Sequence, residues 1–143
     1  MSSTSKLPDC NAEVAQPQIW LEFAIKLHHY NSTTPSAMMT DCDRLILNEF
    51  SAKVRQQFPE VKIWAFGSRA RGDAQPDSDL DICVVVETLD RTAWKAISQI
   101  AWEIGFENDL LITTIKYSRQ QFESRPYSVS PLIRNILQEG IAA

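Results

Sequence analysis

From residue 41 onward, apolar positions follow two rhythms, one close to four residues and one of two, and the places where one gives way to the other mark out elements. Ile46, Phe50, Val54 and Phe58 recur at intervals of four, the stripe of an amphipathic helix over residues 41–58, and Pro59 helps end it. Residues 61–66 and about 79–87 are short apolar runs bounded by turn formers, which read as buried strands one and two. Asp90 or Thr92 can cap the next helix, in which Trp94, Ile97, Ala101 and Ile104 form the apolar face and Gly105 is expected to supply the stop. Residues 110–117 read as strand three. Ser118 with Gln121 fits a capping box for a short helix, and Ser130-Pro131 opens a last helix that ends at Gly140. The order αβ(turn)βαβα predicts an α/β fold, a small mixed β-sheet flanked by helices.

Upstream of this pattern the chain changes character. Residues 1–18 are rich in Ser, Thr, Pro, Asn and Gln and are expected to be a disordered lead. Residues 19–30 are expected to form a short helix with Trp20, Phe23, Ala24 and Leu27 on one face, followed by the polar break NSTTPS. Met38-Met39 then opens the main domain. The expected division is an arm, 1–39, and a domain, 40–143. The arm reads as an appended segment or as an upstream start chosen when the gene was read, with partner docking ranked below both.

Composition narrows the function classes. The 143 residues suit one domain, and the apolar fraction of 44% is ordinary for a soluble protein. A net charge of −4 provides no basic field, which argues against direct nucleic-acid binding. No run approaches the roughly 18 apolar residues of a membrane span, and there is no secretory leader pattern, so a cytoplasmic protein that does not enter the membrane is expected. Cys10, Cys42 and Cys83 are odd in number and widely separated, which favours neither a disulfide framework nor a zinc knuckle. Cys83 falls inside a buried strand and reads as a small core residue. His28 and His29 are adjacent, hence on different faces of a helix, and are expected to face solvent. Trp94 and Trp102 are expected to pack at the core or its rim rather than stack on bases.

The chemistry concentrates in residues 67–81, GSRARGDAQPDSDLD, which lie between strands one and two. Side chains alternate faces along a strand, so Asp79 and Asp81 point the same way while Leu80, Ile82 and Val84 point to the opposite layer. Adjacent carboxylates repel unless a counter-ion joins them, and such pairs bind Mg²⁺, commonly bridging it to substrate phosphates. Two ions about 3.5–4 Å apart can clamp the attacking and leaving oxygens of an in-line displacement. Gly67 lets the backbone turn and approach a ligand closely. Ser68 offers a hydroxyl and an N–H to a phosphate, and the residues after it are expected to form one helical turn whose N–H groups favour anions. Arg69 and Arg71 add positive charge for a triphosphate, while surface charge or a local carboxylate partner is the plainer reading of each. Asp73 and Asp77 read as turn formers. Spacing alone thus points to phosphoryl or nucleotidyl transfer.

Gly67-Ser68, ten intervening residues and then Asp79-x-Asp81 resemble the signature of the DNA polymerase β-like nucleotidyltransferases, specifically the minimal branch, with GSRARGDA…SDxD matched almost throughout. The resemblance spans about residues 40–143 and implies the polymerase β-like nucleotidyltransferase fold, ATP as substrate and Mg²⁺ as cofactor. It implies metal ligation by Asp79 and Asp81, contact of the nucleotide with Gly67, Ser68, Arg69 and Arg71, and a third acid on the next strand. Asp109 is the candidate for that acid and Glu107 the second choice; if the position lies nearer the strand centre, Leu111 or Thr113 occupies it. Minimal members of the family resemble one half of toxin–antitoxin pairs, in which the chain transfers AMP to a tyrosine of a helical HEPN-type ribonuclease or neutralises it by binding. Those two modes are the leading reading and its rival. Modification of a small molecule such as an aminoglycoside comes third, because little chain follows strand three to hold an acceptor, although a homo-oligomer would enlarge that surface.

Overall fold

The computed structural model describes residues 38–143. The readings of residues 1–37, including the helix at 19–30, Cys10, His28 and His29, lie outside the described residues. Among those described, helix α1 (Asp41–Gln57) begins at Thr40, whose hydroxyl accepts from the Asp43 N–H at 3.1 Å. Its stripe buries Ile46, Leu47, Phe50 and Val54. Strand β1 (Lys62–Phe66) leads directly into the single-turn helix α2 (Gly67–Arg71), and a loop returns the chain to strand β2 (Leu80–Val86). Helix α3 (Arg91–Glu107), capped by Asp90, carries the chain to strand β3 (Ile112–Ser118). The short helix α4 (Arg119–Glu123) has the expected Ser118–Gln121 capping box, and helix α5 (Pro131–Glu139) is capped by Ser130. A two-residue strand β4 (Ile141–Ala142) follows it.

The sheet is mixed and four-stranded, in the order β3-β2-β1-β4. Strand β2 pairs antiparallel with β1 and parallel with β3, while β4 pairs antiparallel with β1. Alternation along β2 divides it between two layers. Leu80, Ile82 and Val84 are fully buried in the main core with Ile63, Ala65 and the stripes of α1 and α3. Each such side chain contributes about 1.5–3 kcal/mol through removal from water. Cys83 and Val85 face the other way, into a smaller core with Ile136, Trp64, Phe66, Tyr117 and Phe122. Asp81 lies on that same face, at the end of β2 nearest the β1–α2 turn.

Several expectations change in detail. Gly105 does not stop α3, which continues to Glu107 and is capped by Asn108. It is buried at a close approach instead: a Cβ there would lie 2.5 Å from the Leu110 carbonyl, so the missing side chain lets α3 pack on the start of β3. Trp94 and Trp102 are exposed on α3, Trp94 beneath the Lys116 ammonium and Trp102 stacked on Phe106, so neither is core. Strand β4 carried too short an apolar signal to read. Cys83 is a buried free thiol inside β2, as expected. Among the described residues no helix is long and apolar enough to cross a membrane.

Candidate active site

The bend after β1 is built around two glycines in the left-handed region, Gly67 at φ 75° and Gly72 at φ 79°. Gly67 turns the chain from strand into helix, and Gly72 ends the helix one turn later with its N–H on the Ser68 carbonyl. Ladder pairing sets Phe66 opposite Asp81, so the bend sits beside the first polar residue of β2. The approach is tight. A Cβ on Gly67 would lie 2.6 Å from Asp81 Oδ2, which means the carboxylate occupies the space that any other residue's side chain would need. Ser68 is half-buried on the same turn.

Asp79 stands immediately before Leu80, whose N–H bonds the Leu111 carbonyl and whose side chain is fully buried in the main core. Its neighbours on either side therefore face the opposite layer, and Asp79 and Asp81, both half-buried, share it. Asp81 and the glycine bend meet at one end of the sheet.

Arg69 and Arg71 have different surroundings. Arg69 is turned inward: its Nε donates to the Ser78 carbonyl at 2.7 Å, Nη2 to the Pro76 carbonyl at 3.1 Å, and Nη1 to Asp43 Oδ1 at 2.9 Å. Asp43 is buried in the first turn of α1, so this guanidinium ties helix, bend and loop together just ahead of Asp79. Of the two readings the sequence left for Arg69, phosphate contact or a local carboxylate partner, the second has its partner in Asp43, which the sequence did not single out; its only signal was an acid in a helix first turn, where a role at the helix end suffices. Arg71 is exposed, beside Asp73 at 3.4 Å. The Gln75 N–H bonds the Ser78 hydroxyl at 3.0 Å, which further fixes the loop.

The third acid is not beside the pair. Asp109 lies in the turn before β3, exposed, with φ 50°, and borders a surface groove with Trp94, Trp102, Thr114 and Lys116. Thr114 and Lys116 alternate with Thr113, so that groove opens on the side of the sheet away from Asp81. Glu107 is exposed at the end of α3. The position in register with Asp81 is Thr113, whose hydroxyl donates to Asp81 Oδ1. No group of three His, Cys, Asp or Glu side chains that could hold a metal ion occurs among the described residues. Two half-buried carboxylates on one face nevertheless suit a hard divalent cation that completes its shell with phosphate oxygens and water.

Comparison with known proteins follows the same lines. A profile of the nucleotidyltransferase domain matches residues 47–142, a span that contains the bend, the loop, both acids and β3. A protein of Methanocaldococcus jannaschii named "Putative protein adenylyltransferase MJ1305" is 32% identical over 97 residues, which cover 64% of this chain and 65% of that protein. The chain thus spans about two thirds of the length of that relative.

Proposed function

The chain belongs to the nucleotidyltransferase domain family, and from that premise we propose that it transfers AMP from ATP, with Mg²⁺, to a hydroxyl of a partner protein. The observation that carries the reading is the approach of the Asp81 carboxylate to the bare Cα of Gly67, which brings an acid and the Gly67-Ser68 bend to one spot. Asp79 and Asp81 would hold the cation, which when bound supplies positive charge to the triphosphate oxygens. Gly67 lets the Asp81 carboxylate close on the bend, Ser68 offers its hydroxyl and N–H to the phosphate tail, and Arg71 adds charge. The acceptor hydroxyl attacks the α-phosphorus and pyrophosphate leaves. Protein as the acceptor class is supported by the printed name of the relative, a protein adenylyltransferase. As partner we propose a helical HEPN-type ribonuclease, neutralised in the cytoplasm by this chain as its antitoxin through modification of a tyrosine.

A second reading follows from one observation: with Thr113 where a third acid would face the pair, a chain that binds nucleotide and blocks its partner by contact alone also fits. One experiment separates the two. The purified chain is incubated with Mg²⁺, ATP labelled at the α-phosphate and a helical candidate partner. Label on the partner with release of pyrophosphate supports transfer. Complete neutralisation with no label at any ratio of the two proteins supports binding and rejects the enzymatic reading.

A further inference from the structure

Building on the nucleotidyl-transfer reading above, we propose that Thr113 is the positioning residue for the Asp81 carboxylate, and that this site holds one divalent ion on two carboxylates. Strands β2 and β3 run parallel with Asp81 and Thr113 in register, so the two side chains project from the same face as neighbours. The Thr113 hydroxyl donates to Oδ1 of Asp81, while Oδ2 is the oxygen turned toward Gly67. One oxygen is thereby anchored and the other presented at the bend. A threonine in a strand delivers such a donor at small entropic cost, because branching at Cβ restricts its χ1 angle. Donors of this kind fix the plane of a ligating carboxylate and tune its affinity.

Ion number follows from the same position. Hard divalent cations at phosphate sites are held through one or two carboxylates, the rest of the shell coming from phosphate and water. A second ion needs further negative charge facing the first, and the residue in register there is a neutral hydroxyl. Asp109, the acid nearest in sequence to β3, faces the groove on the other side of the sheet.

The test counts and weighs Mn²⁺ binding by electron paramagnetic resonance, with chain and α,β-methylene ATP at equal concentration. Wild type is expected to hold one ion per chain. Thr113→Val keeps the branched shape without the hydroxyl and is expected to bind Mn²⁺ about 10-fold more weakly or worse. Thr113→Ser restores the donor and should stay within about 3-fold of wild type on the same grounds. Thr113→Ala serves in place of the valine variant if that one does not fold. Equal affinity in wild type and the hydroxyl-free variant overturns the positioning role. Two ions in wild type overturn the single-ion site while leaving nucleotidyl transfer standing. Wild type that binds neither Mn²⁺ nor the analogue overturns both.

Discussion

Removal of Arg69 separates a structural strut from a phosphate ligand. Arg69 and Asp43 meet at 2.9 Å with side chains only 14% and 6% exposed. At an effective dielectric near 20, unit charges about 4 Å apart attract by about 4 kcal/mol. Arg69→Ala leaves the Asp43 carboxylate buried without its partner, a change that costs about 3–5 kcal/mol for pairs of this kind. The carbonyls of Pro76 and Ser78 also lose their donors, but they lie in a largely exposed loop where water replaces much of the lost bonding. The expected loss is therefore about 3–4 kcal/mol, a large part of the roughly 5–15 kcal/mol that stabilises a domain. Equilibrium urea unfolding without nucleotide, followed by circular dichroism, measures it. Arg69→Lys should recover little, because an ammonium cannot reach three acceptors in fork geometry. The double variant Asp43→Leu/Arg69→Met should recover most of the loss, since it leaves no charge stranded. A loss below about 1 kcal/mol for Arg69→Ala, together with weakened ATP binding, would refute the strut and return Arg69 to the phosphate.

Three further outcomes are expected. Asp79→Asn should abolish Mn²⁺ binding and slow transfer by about 100-fold or more with folding intact, whereas Asp109→Asn should leave Mn²⁺ affinity unchanged; equal losses in the two would restore Asp109 to the site. Gly67→Ala should cost roughly 1–2 kcal/mol from the left-handed backbone alone and should also weaken Mn²⁺ binding, because its Cβ displaces Asp81 Oδ2; unaltered metal affinity in a folded variant would contradict the close approach. Burial pushes the Cys83 thiol from 9.0 up to about 12, so the folded chain keeps a proton that the unfolded chain loses in between. That contribution is complete below about pH 9 and disappears as pH rises toward about 12, at most about 4 kcal/mol. Denaturation curves of wild type should therefore fall more steeply with alkaline pH than those of Cys83→Ala, and parallel curves would count against it.

Legibility in the sequence tracked the range of the interactions. The period of four in α1, the Ser118–Gln121 capping box and the alternation that sets Asp79 and Asp81 opposite Leu80 are local, and the residues alone specify them. The glycine bend was readable for the same reason. What escaped depends on partners far along the chain. Arg69 finds Asp43 across 26 positions, and no pattern within the loop announces that acid. The register of β3 is set across a helical crossover, and it is that register that puts Thr113 beside Asp81. Gly105 itself misled, since a glycine late in a helix serves a cap and a close contact equally well.

Odd positions along β2 near the bend serve chemistry, and even positions anchor the sheet to its helices. Saturation libraries at 79, 81 and 113 should consequently yield mostly folded protein with graded metal preference, whereas the same effort at 80, 82 and 84 would return aggregates. Deletions obey a harsher rule. Shortening the loop at 73–77 removes the Pro76 and Gln75 ties that hold it but leaves the strand alternation intact, whereas loss of one residue between 80 and 86 would invert every succeeding side chain, turning ligand into filler and filler into ligand.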